Sequence, residues 1–191
     1  MLRFVLVAAA LLSTAAHAEQ SIVGSWQTPF QELGDNVFYQ LRRDFKADGS
    51  FVQQLQIEMH HPLFPTPLVT EIEEWNTYVI GNSTGTEGAT AIDETLVRTF
   101  ETIKTADWVA QHNAESYCGY DDWVLGVKKE ITGRTCNGVV HTAGDAHYDL
   151  FKIDGDSINF AIKPWHDAAV GSRPESRPPV LGPSIGYRRV N

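Results

Sequence analysis

The chain has 191 residues, and its 24 Asp and Glu outnumber its 15 Lys and Arg, which gives a net charge of −9 at neutral pH. This acidic balance argues against nucleic acids and anionic membrane surfaces as partners. Hydrophobic residues make up 42% of the chain and aromatic residues 10%, as expected of a globular protein that can build a core.

The N-terminus has the three parts of a secretory signal peptide. Met1–Arg3 is a short charged start, Phe4–Leu12 is an unbroken apolar run, and Ala16–Ala18 has small residues where signal peptidase reads the chain. The apolar run is too short to cross a bilayer. We therefore expect residues 1–18 to be removed by cleavage between Ala18 and Glu19, and the mature chain to be secreted or periplasmic without a transmembrane anchor.

Residues 19–191 are predicted to form a single domain, because their number suits one hydrophobic core. Phe38–Phe45 and Phe51–Met59 alternate between apolar and polar residues on either side of Asp48-Gly49. Two alternating runs around an Asp-Gly turn predict a β-hairpin. Arg43 is the exception in this pattern, since it shares the apolar face of its strand.

Further strands are predicted over Glu71–Ile80 and over Ala89–Lys104, where Leu96, Val97 and Phe100 are the expected core residues. The three prolines of 61–67 exclude a central strand there.

A helix is predicted over Thr105–Tyr117, with Thr105 as its N-cap and with Trp108, Val109 and His112 on one face. Gly119, shortly after this segment, suits a helix stop.

Beyond the helix, Trp123–Ile131 is predicted to be a strand, and Tyr148–Ile153 and Ser157–Ile162 are predicted to form a second hairpin. The segment 164–183 is a long Pro- and Gly-rich loop, and Ile185–Val190 is a last short strand. Many short strands with regular turns and one helix favour an antiparallel β-barrel or sandwich.

Two cysteines, Cys118 and Cys136, are present. In an oxidising compartment they most simply form one disulfide. The bridge would close a loop of 18 positions, which is worth about 3 kcal/mol by chain-entropy arguments. A zinc pair would need further ligands, and a lone nucleophilic cysteine is the other alternative.

No GxSxG, GxGxxG, P-loop or HExxH motif occurs, so we predict no catalytic residue, no metal site and no cofactor. A metal-assisted hydrolase is the weaker alternative, and it would require convergence of side chains from His60, His61, His141 or His147. Asn82-Ser83-Thr84 matches a glycosylation acceptor in a predicted turn.

The tryptophans are the remaining residues that bear on fold and ligand binding. Gly24-Ser25-Trp26 just before the first strand is typical of lipocalin-type barrels, in which the Trp closes one end. Trp26, Trp75 and Trp123 are candidate contacts for a ligand in an apolar, aromatic cavity.

These landmarks, taken in order, resemble the adenomatosis polyposis coli down-regulated (APCDD) domain family. The resemblance rests on Gly24-Ser25-Trp26, Phe38–Phe45, Cys118-Gly119, Trp123, Gly126, Cys136, Tyr148–Ile153, Arg173-Pro174, Arg177-Pro178-Pro179 and Leu181.

This resemblance implies a mainly β, antiparallel, lipocalin-like β-barrel or half-barrel with one short helix. Animal members carry two such domains and restrain Wnt signalling by holding the lipid on the Wnt ligand. Here Gln27–Phe30 stands where those members have Cys-Glu, which implies one fewer disulfide. What the resemblance carries over is the barrel, the Cys118–Cys136 bridge and a lipid-binding cavity.

The sequence thus predicts a secreted or periplasmic, non-enzymatic binding protein for a lipid or other apolar small molecule in a β-barrel cavity. The alternative is a protein-interaction module that uses the Pro-rich loop 164–183, with a partner that stays unknown. Positive charge gathers near that loop at Arg173, Arg177, Arg188 and Arg189. Such arginines more often pair with carboxylates of the same surface.

Overall fold

A computed structural model describes residues 21–84, 88–161, 170–181 and 186–190. The predicted signal peptide with its cleavage site, and residues 162–169 and 182–185 of the Pro-rich loop and the last predicted strand, lie outside the described residues. The described elements are β1 (Gly24–Gln27), β2 (Gln31–Gly34), β3 (Val37–Phe45), β4 (Ser50–Met59), β5 (Leu68–Ser83), β6 (Thr90–Ile103), α1 (Ala106–Glu115), β7 (Lys128–Glu130), β8 (Thr135–Cys136), β9 (Val139–Val140), β10 (Ala146–Asp154), β11 (Ser157–Phe160) and β12 (Tyr187–Val190).

Eight antiparallel strands close into a barrel in the order β1-β3-β4-β5-β6-β10-β11-β12. Closure occurs at β1, where Trp26 lies opposite Arg43 of β3 on one side and opposite Arg189 of β12 on the other. The predicted mainly β antiparallel barrel with one short helix is therefore confirmed, as a closed barrel. Closure pairs the backbone groups that the edges of an open sheet would leave free.

The first predicted hairpin is confirmed by β3 and β4, which pair along their whole length. Gly49 has a φ of +81°, which a residue without Cβ adopts at little cost. The Asp48 carboxylate accepts hydrogen bonds from the Ser50 N–H at 2.9 Å and from its hydroxyl at 2.6 Å. The Asp-Gly sequence thus supplies both the turn backbone and its side-chain support.

One end of the barrel is filled with aromatic and aliphatic side chains. Trp26 and Ile158 have no exposed surface, and Phe45 stacks on Phe51 with ring centroids 4.8 Å apart. The Trp26 indole N–H donates to the Ile22 carbonyl at 2.7 Å. Trp26 therefore packs into the core at this end, as expected for the Trp of a Gly-x-Trp start.

The end of β6 and the segment between β6 and β10 form a second, smaller core. The second half of β6 pairs with β7 instead of β10, so the chain leaves the barrel wall there and packs α1 and the β8–β9 hairpin against it. Buried members of this core are Ile103, Cys118, Trp123, Ile131 and Cys136. Among the described residues, no helix has the length and apolar character needed to cross a membrane.

The predicted helix is present at the predicted position, but it ends earlier than predicted. Thr105 is the N-cap residue, yet its hydroxyl accepts a hydrogen bond from the Val69 N–H at 3.3 Å instead of capping the helix. The helix ends at Glu115, because Ser116 takes a left-handed conformation with a φ of 50°. Gly119 is instead the last residue of a short 3-10 turn, Tyr117–Gly119.

Trp123–Ile131 is not one strand; only Lys128–Glu130 pairs, as β7. The reason lies at Trp123, whose backbone is held by the side chain of Asn113. The Trp123 N–H donates to the Asn113 amide oxygen at 2.6 Å, and its carbonyl accepts from the amide nitrogen at 3.0 Å. These contacts replace the partners that a strand would offer.

Asn82 and Ser83 lie at the end of β5 and not in the predicted turn, and Asn82 is exposed. The second hairpin is confirmed, with β11 ending at Phe160. The last strand begins at Tyr187.

Candidate functional site

The cavity at the helix end of the barrel has a volume of about 770 Å³. It lies between the inner faces of the strands and the face of α1. Its walls combine apolar and polar side chains: Val37, Ile57, Met59, His61, Leu63, Phe64, Leu68, Thr70, Ile72, Glu101, Trp108, Gln111, His112, Glu115, Tyr117 and Asn137. Cavities of this size and mixed character hold small organic ligands in many proteins.

Strand alternation determines which barrel residues reach this cavity. Ile57 lies beside Thr70 across β4 and β5, and Ile72 lies beside Glu101 across β5 and β6. Because side chains alternate along each strand, every second residue of these strands points inward. The side chain of Glu101 is therefore part of a cavity wall that is otherwise largely aliphatic.

Glu101 is the most unusual residue of the cavity, because only 2% of its surface is exposed. The Thr70 hydroxyl donates to its Oε1 at 2.9 Å, whereas Oε2 is buried without a hydrogen-bond partner. Burial raises the pKa of this carboxyl group. Interactions with Thr70 and Tyr117 and the nearby charge of His141 oppose the rise without cancelling it.

The Tyr117 side chain interacts with the Glu101 carboxyl group, although no donor lies within hydrogen-bond distance and angle of Oε2. Burial, followed by the charge of Glu101, raises the pKa of Tyr117 strongly. Tyr117 is therefore a neutral phenol at any physiological pH, and its O–H is available as a donor beside the carboxyl group.

His112 of α1 lies in an aromatic enclosure on the helix side of the cavity. Its ring centroid is 4.0 Å from that of Tyr117, 5.5 Å from Trp108 and 5.9 Å from Trp123. Burial lowers the pKa of His112 to about 4, against the opposing effects of the Trp108 backbone and of Glu115. Its Nδ1 is buried without a partner in hydrogen-bond geometry, so His112 is neutral at pH 7.

A partly buried chain of polar side chains lies on the inner face of neighbouring strands. Arg43 donates to Glu94 at 3.0 Å and to the Gln53 side-chain oxygen at 2.8 Å, and Gln53 donates to Glu74 at 2.8 Å. His141 Nδ1 lies 3.4 Å from Glu74.

The guanidinium of Arg43 also lies over the Phe160 ring, 4.3 Å from its centroid. The charge of Glu94 and other neighbours raises the pKa of Arg43 even though burial opposes it. Arg43 is thus an internal cation, placed by the alternation that put it on the apolar face of β3.

The three candidate tryptophans lie away from this cavity. Trp26 is in the core at one end of the barrel, and Trp123 is in the second core beside the disulfide. Trp75 is on the outer face, 41% exposed, and packs on Phe100 with centroids 5.0 Å apart. The tryptophan that does line the cavity is Trp108, which the sequence had placed only on a helix face.

Glu101 was missed because of a β-bulge. Trp75 lies opposite Arg98, whereas the next residue, Asn76, lies opposite Leu96, so Val97 is the extra residue. An extra residue reverses the alternation beyond it. Leu96 is in the core as predicted, but Val97 is 42% exposed. Phe100 packs on the outside of the barrel, and Glu101 takes the inner face.

The disulfide prediction is confirmed, since Cys118 and Cys136 are bonded with their Cα atoms 4.5 Å apart. The bridge joins the 3-10 turn after α1 to the β8–β9 hairpin. It therefore holds Tyr117, the neighbour of Cys118, against the cavity. A disulfide is compatible with the predicted extracellular or periplasmic location, which stays a prediction.

The four histidines of the hydrolase alternative have separate surroundings. His60 pairs with Glu58 at 2.8 Å, His61 accepts a hydrogen bond from the Leu63 N–H, and His147 lies opposite Glu94 between β10 and β6. No group of three or more metal-ligating side chains occurs in the described ranges.

Two of the C-terminal arginines contact the barrel itself. Arg177 donates to the carbonyls of Ile92 and Asp149 and pairs with Asp93. Arg189 lies over the Trp26 ring, 4.2 Å from its centroid. These contacts tie the described part of the Pro-rich loop and β12 to the wall. The part of that loop at 164–169 lies outside the described residues.

A scan against models of known protein families found no match to this chain, and a search of curated proteins found no similar sequence. The resemblance to the APCDD domain family therefore stays a prediction from the residues that carry it.

Proposed function

We propose that this protein is a non-enzymatic binding protein for a lipid or other apolar small molecule, held in the cavity between the barrel and α1. The observation that carries the proposal is the cavity itself, a space of about 770 Å³ between the end of a closed barrel and α1. Its volume falls within the range of about 300–1,000 Å³ that small-molecule sites occupy.

The lining supports an apolar ligand. Ile57, Met59, Leu68, Ile72 and Trp108 present hydrocarbon and aromatic surface to the cavity. Transfer of apolar ligand surface from water to such walls is favourable by about 25 cal/mol per Å². A ligand that fills this part of the barrel would thus gain affinity without any covalent chemistry.

The loop between β4 and β5 supports access to this cavity from solvent. Leu63 lines the cavity and is 81% exposed, although its side chain is fully apolar. Phe64 lies beside it and also contributes to the lining. An apolar side chain at an entrance reduces the contact of an apolar ligand with water as it enters.

The test is a titration of delipidated protein with Nile red, a neutral apolar dye whose fluorescence rises in apolar surroundings. We expect a saturable signal from the wild-type protein. Ile57→Trp replaces an aliphatic side chain of the cavity wall with a larger aromatic one, and it should weaken dye binding at least tenfold. The matched control is Val79→Trp, because Val79 is on the barrel wall and 67% exposed.

Val79→Trp should bind the dye as the wild-type protein does, and the melting temperatures of both variants show whether they fold. Absence of a saturable signal in the wild-type protein would refute the proposal. Equal affinities in the two variants would show that the dye binds elsewhere, and would refute the assignment to this cavity.

A further inference from the structure

We propose that the ligand of this cavity is a cationic amphiphile, a long-chain alkylammonium whose amine head binds Glu101 Oε2 while its chain lies along the aliphatic wall. This inference rests on the proposed function and names the chemical class of its ligand. It separates the protein from carriers of fatty acids and of anionic phospholipids, whose heads carry a net negative charge.

The charges of the lining support a cationic head. Two carboxylic acids, Glu101 and Glu115, line the cavity, whereas no lysine and no arginine is among its described lining residues. An anionic head would therefore lie near a carboxyl group without a compensating cation, in surroundings where charges are poorly screened. Sites for carboxylates and phosphates normally supply an arginine or lysine.

The unpartnered oxygen of Glu101 supports a ligand whose head group donates a hydrogen bond. Oε1 already accepts from Thr70, but Oε2 is buried with no hydrogen-bond partner. A buried acceptor left unpaired costs about 1–3 kcal/mol. An ammonium group supplies both the missing N–H donor and the opposite charge, so its binding would satisfy Oε2 and stabilise the ionised carboxylate.

No lysine or arginine of the described residues lines this cavity, and His61, which does line it, accepts a hydrogen bond from the Leu63 N–H at its Nδ1. His112 lines the same cavity but is neutral at pH 7. His141 interacts with Glu101 only through its charge and has Glu74 as its partner at 3.4 Å. The rings of Trp108 and Tyr117 also line the cavity, and aromatic faces attract organic cations.

The test is displacement of Nile red from the wild-type protein by three amphiphiles of equal chain length: dodecylamine, dodecanol and dodecanoate. We expect dodecylamine to bind at least tenfold more tightly than dodecanoate at neutral pH, with dodecanol between them. Glu101→Gln keeps the shape of the side chain and removes its charge. This variant should bind dodecylamine at least tenfold more weakly than the wild-type protein does. Its affinity for dodecanol should stay within about twofold of the wild-type value.

Glu71→Gln is the matched control, because it removes an equal charge from the same pair of strands. Glu71 lies opposite Thr102 and pairs with Lys104 at 3.5 Å, outside the cavity. This variant should retain the wild-type order of affinities. Melting temperatures with and without ligand show that each variant folds.

The outcomes separate the two proposals. If Nile red binds but dodecanoate equals dodecylamine, or if Glu101→Gln leaves the preference unchanged, the cationic head is refuted while the binding function stands. If neither the dye nor any amphiphile binds, the binding function itself is refuted. If Glu101→Gln does not fold, the affinities of the wild-type protein for the three amphiphiles still test the preference for a cationic head.

Discussion

Acidification should destabilise this protein through His112, because the folded state holds that side chain in its neutral form. The ring is 5% exposed and packs among Trp108, Tyr117 and Trp123. Burial lowers its pKa to about 4, whereas an unfolded chain has a histidine pKa of about 6.5. Below pH 6.5 the unfolded state therefore binds a proton that the folded state does not.

The sign and size of the effect follow from this difference in pKa. A lowered pKa in the folded state stabilises the protein fully above about pH 6.5, and this stabilisation is lost as the pH falls toward 4. A difference of about 2.5 pKa units corresponds to at most about 3.4 kcal/mol, at about 1.4 kcal/mol per unit. We expect His112 to account for a loss of about 2–3 kcal/mol between about pH 7 and pH 4.

The assay is urea unfolding of the wild-type protein and His112→Phe at several pH values over this range. Phenylalanine keeps an aromatic ring in the enclosure and cannot take up a proton. The difference in unfolding free energy between about pH 7 and pH 4 should be smaller in the variant by about 2–3 kcal/mol. The raised pKa of Glu101 acts in the opposite direction, and the comparison with the variant subtracts the part of its effect that both proteins share. Equal pH dependence in both proteins would refute the reasoning.

Two further predictions concern the barrel interior and the disulfide. Arg43→Met should lower the unfolding free energy by about 3–5 kcal/mol, because it leaves the buried Glu94 without its cation. Adding Glu94→Gln should restore part of that loss in urea unfolding, and additive effects would contradict direct coupling. Replacing Cys118 and Cys136 together by serine should lower the unfolding free energy by about 3 kcal/mol, which corresponds to about 6–12 °C in Tm. An unchanged calorimetric Tm would show that the bridge adds nothing to stability.

Local chemistry determined the parts of this fold that the sequence predicted. The alternation of β3 and β4 correctly grouped Tyr39 and Leu41 with Arg43, since residues two apart share a face of any strand. Asp48-Gly49 has turn chemistry that acts within a few residues. Two cysteines in one small domain made the bridge predictable as well.

The candidate site depended on contacts between distant segments. The sequence of β6 does not mark Val97 as a bulge, because the extra residue is defined by pairing with β5. That one residue decided that Glu101, and not Phe100, faces inward. Trp123 left the predicted strand because Asn113 of the helix holds its backbone.

The sequence by itself thus determined a mainly β, antiparallel fold, its hairpins and its disulfide, because alternation, turn residues and cysteine number are local properties. The tertiary structure decided which side chains share the cavity, that Glu101 is buried with an unpaired oxygen, and that Trp108 lines the site in place of the three candidate tryptophans. The physical reason is that register, burial and pKa depend on what packs against a residue, and those neighbours come from other parts of the chain.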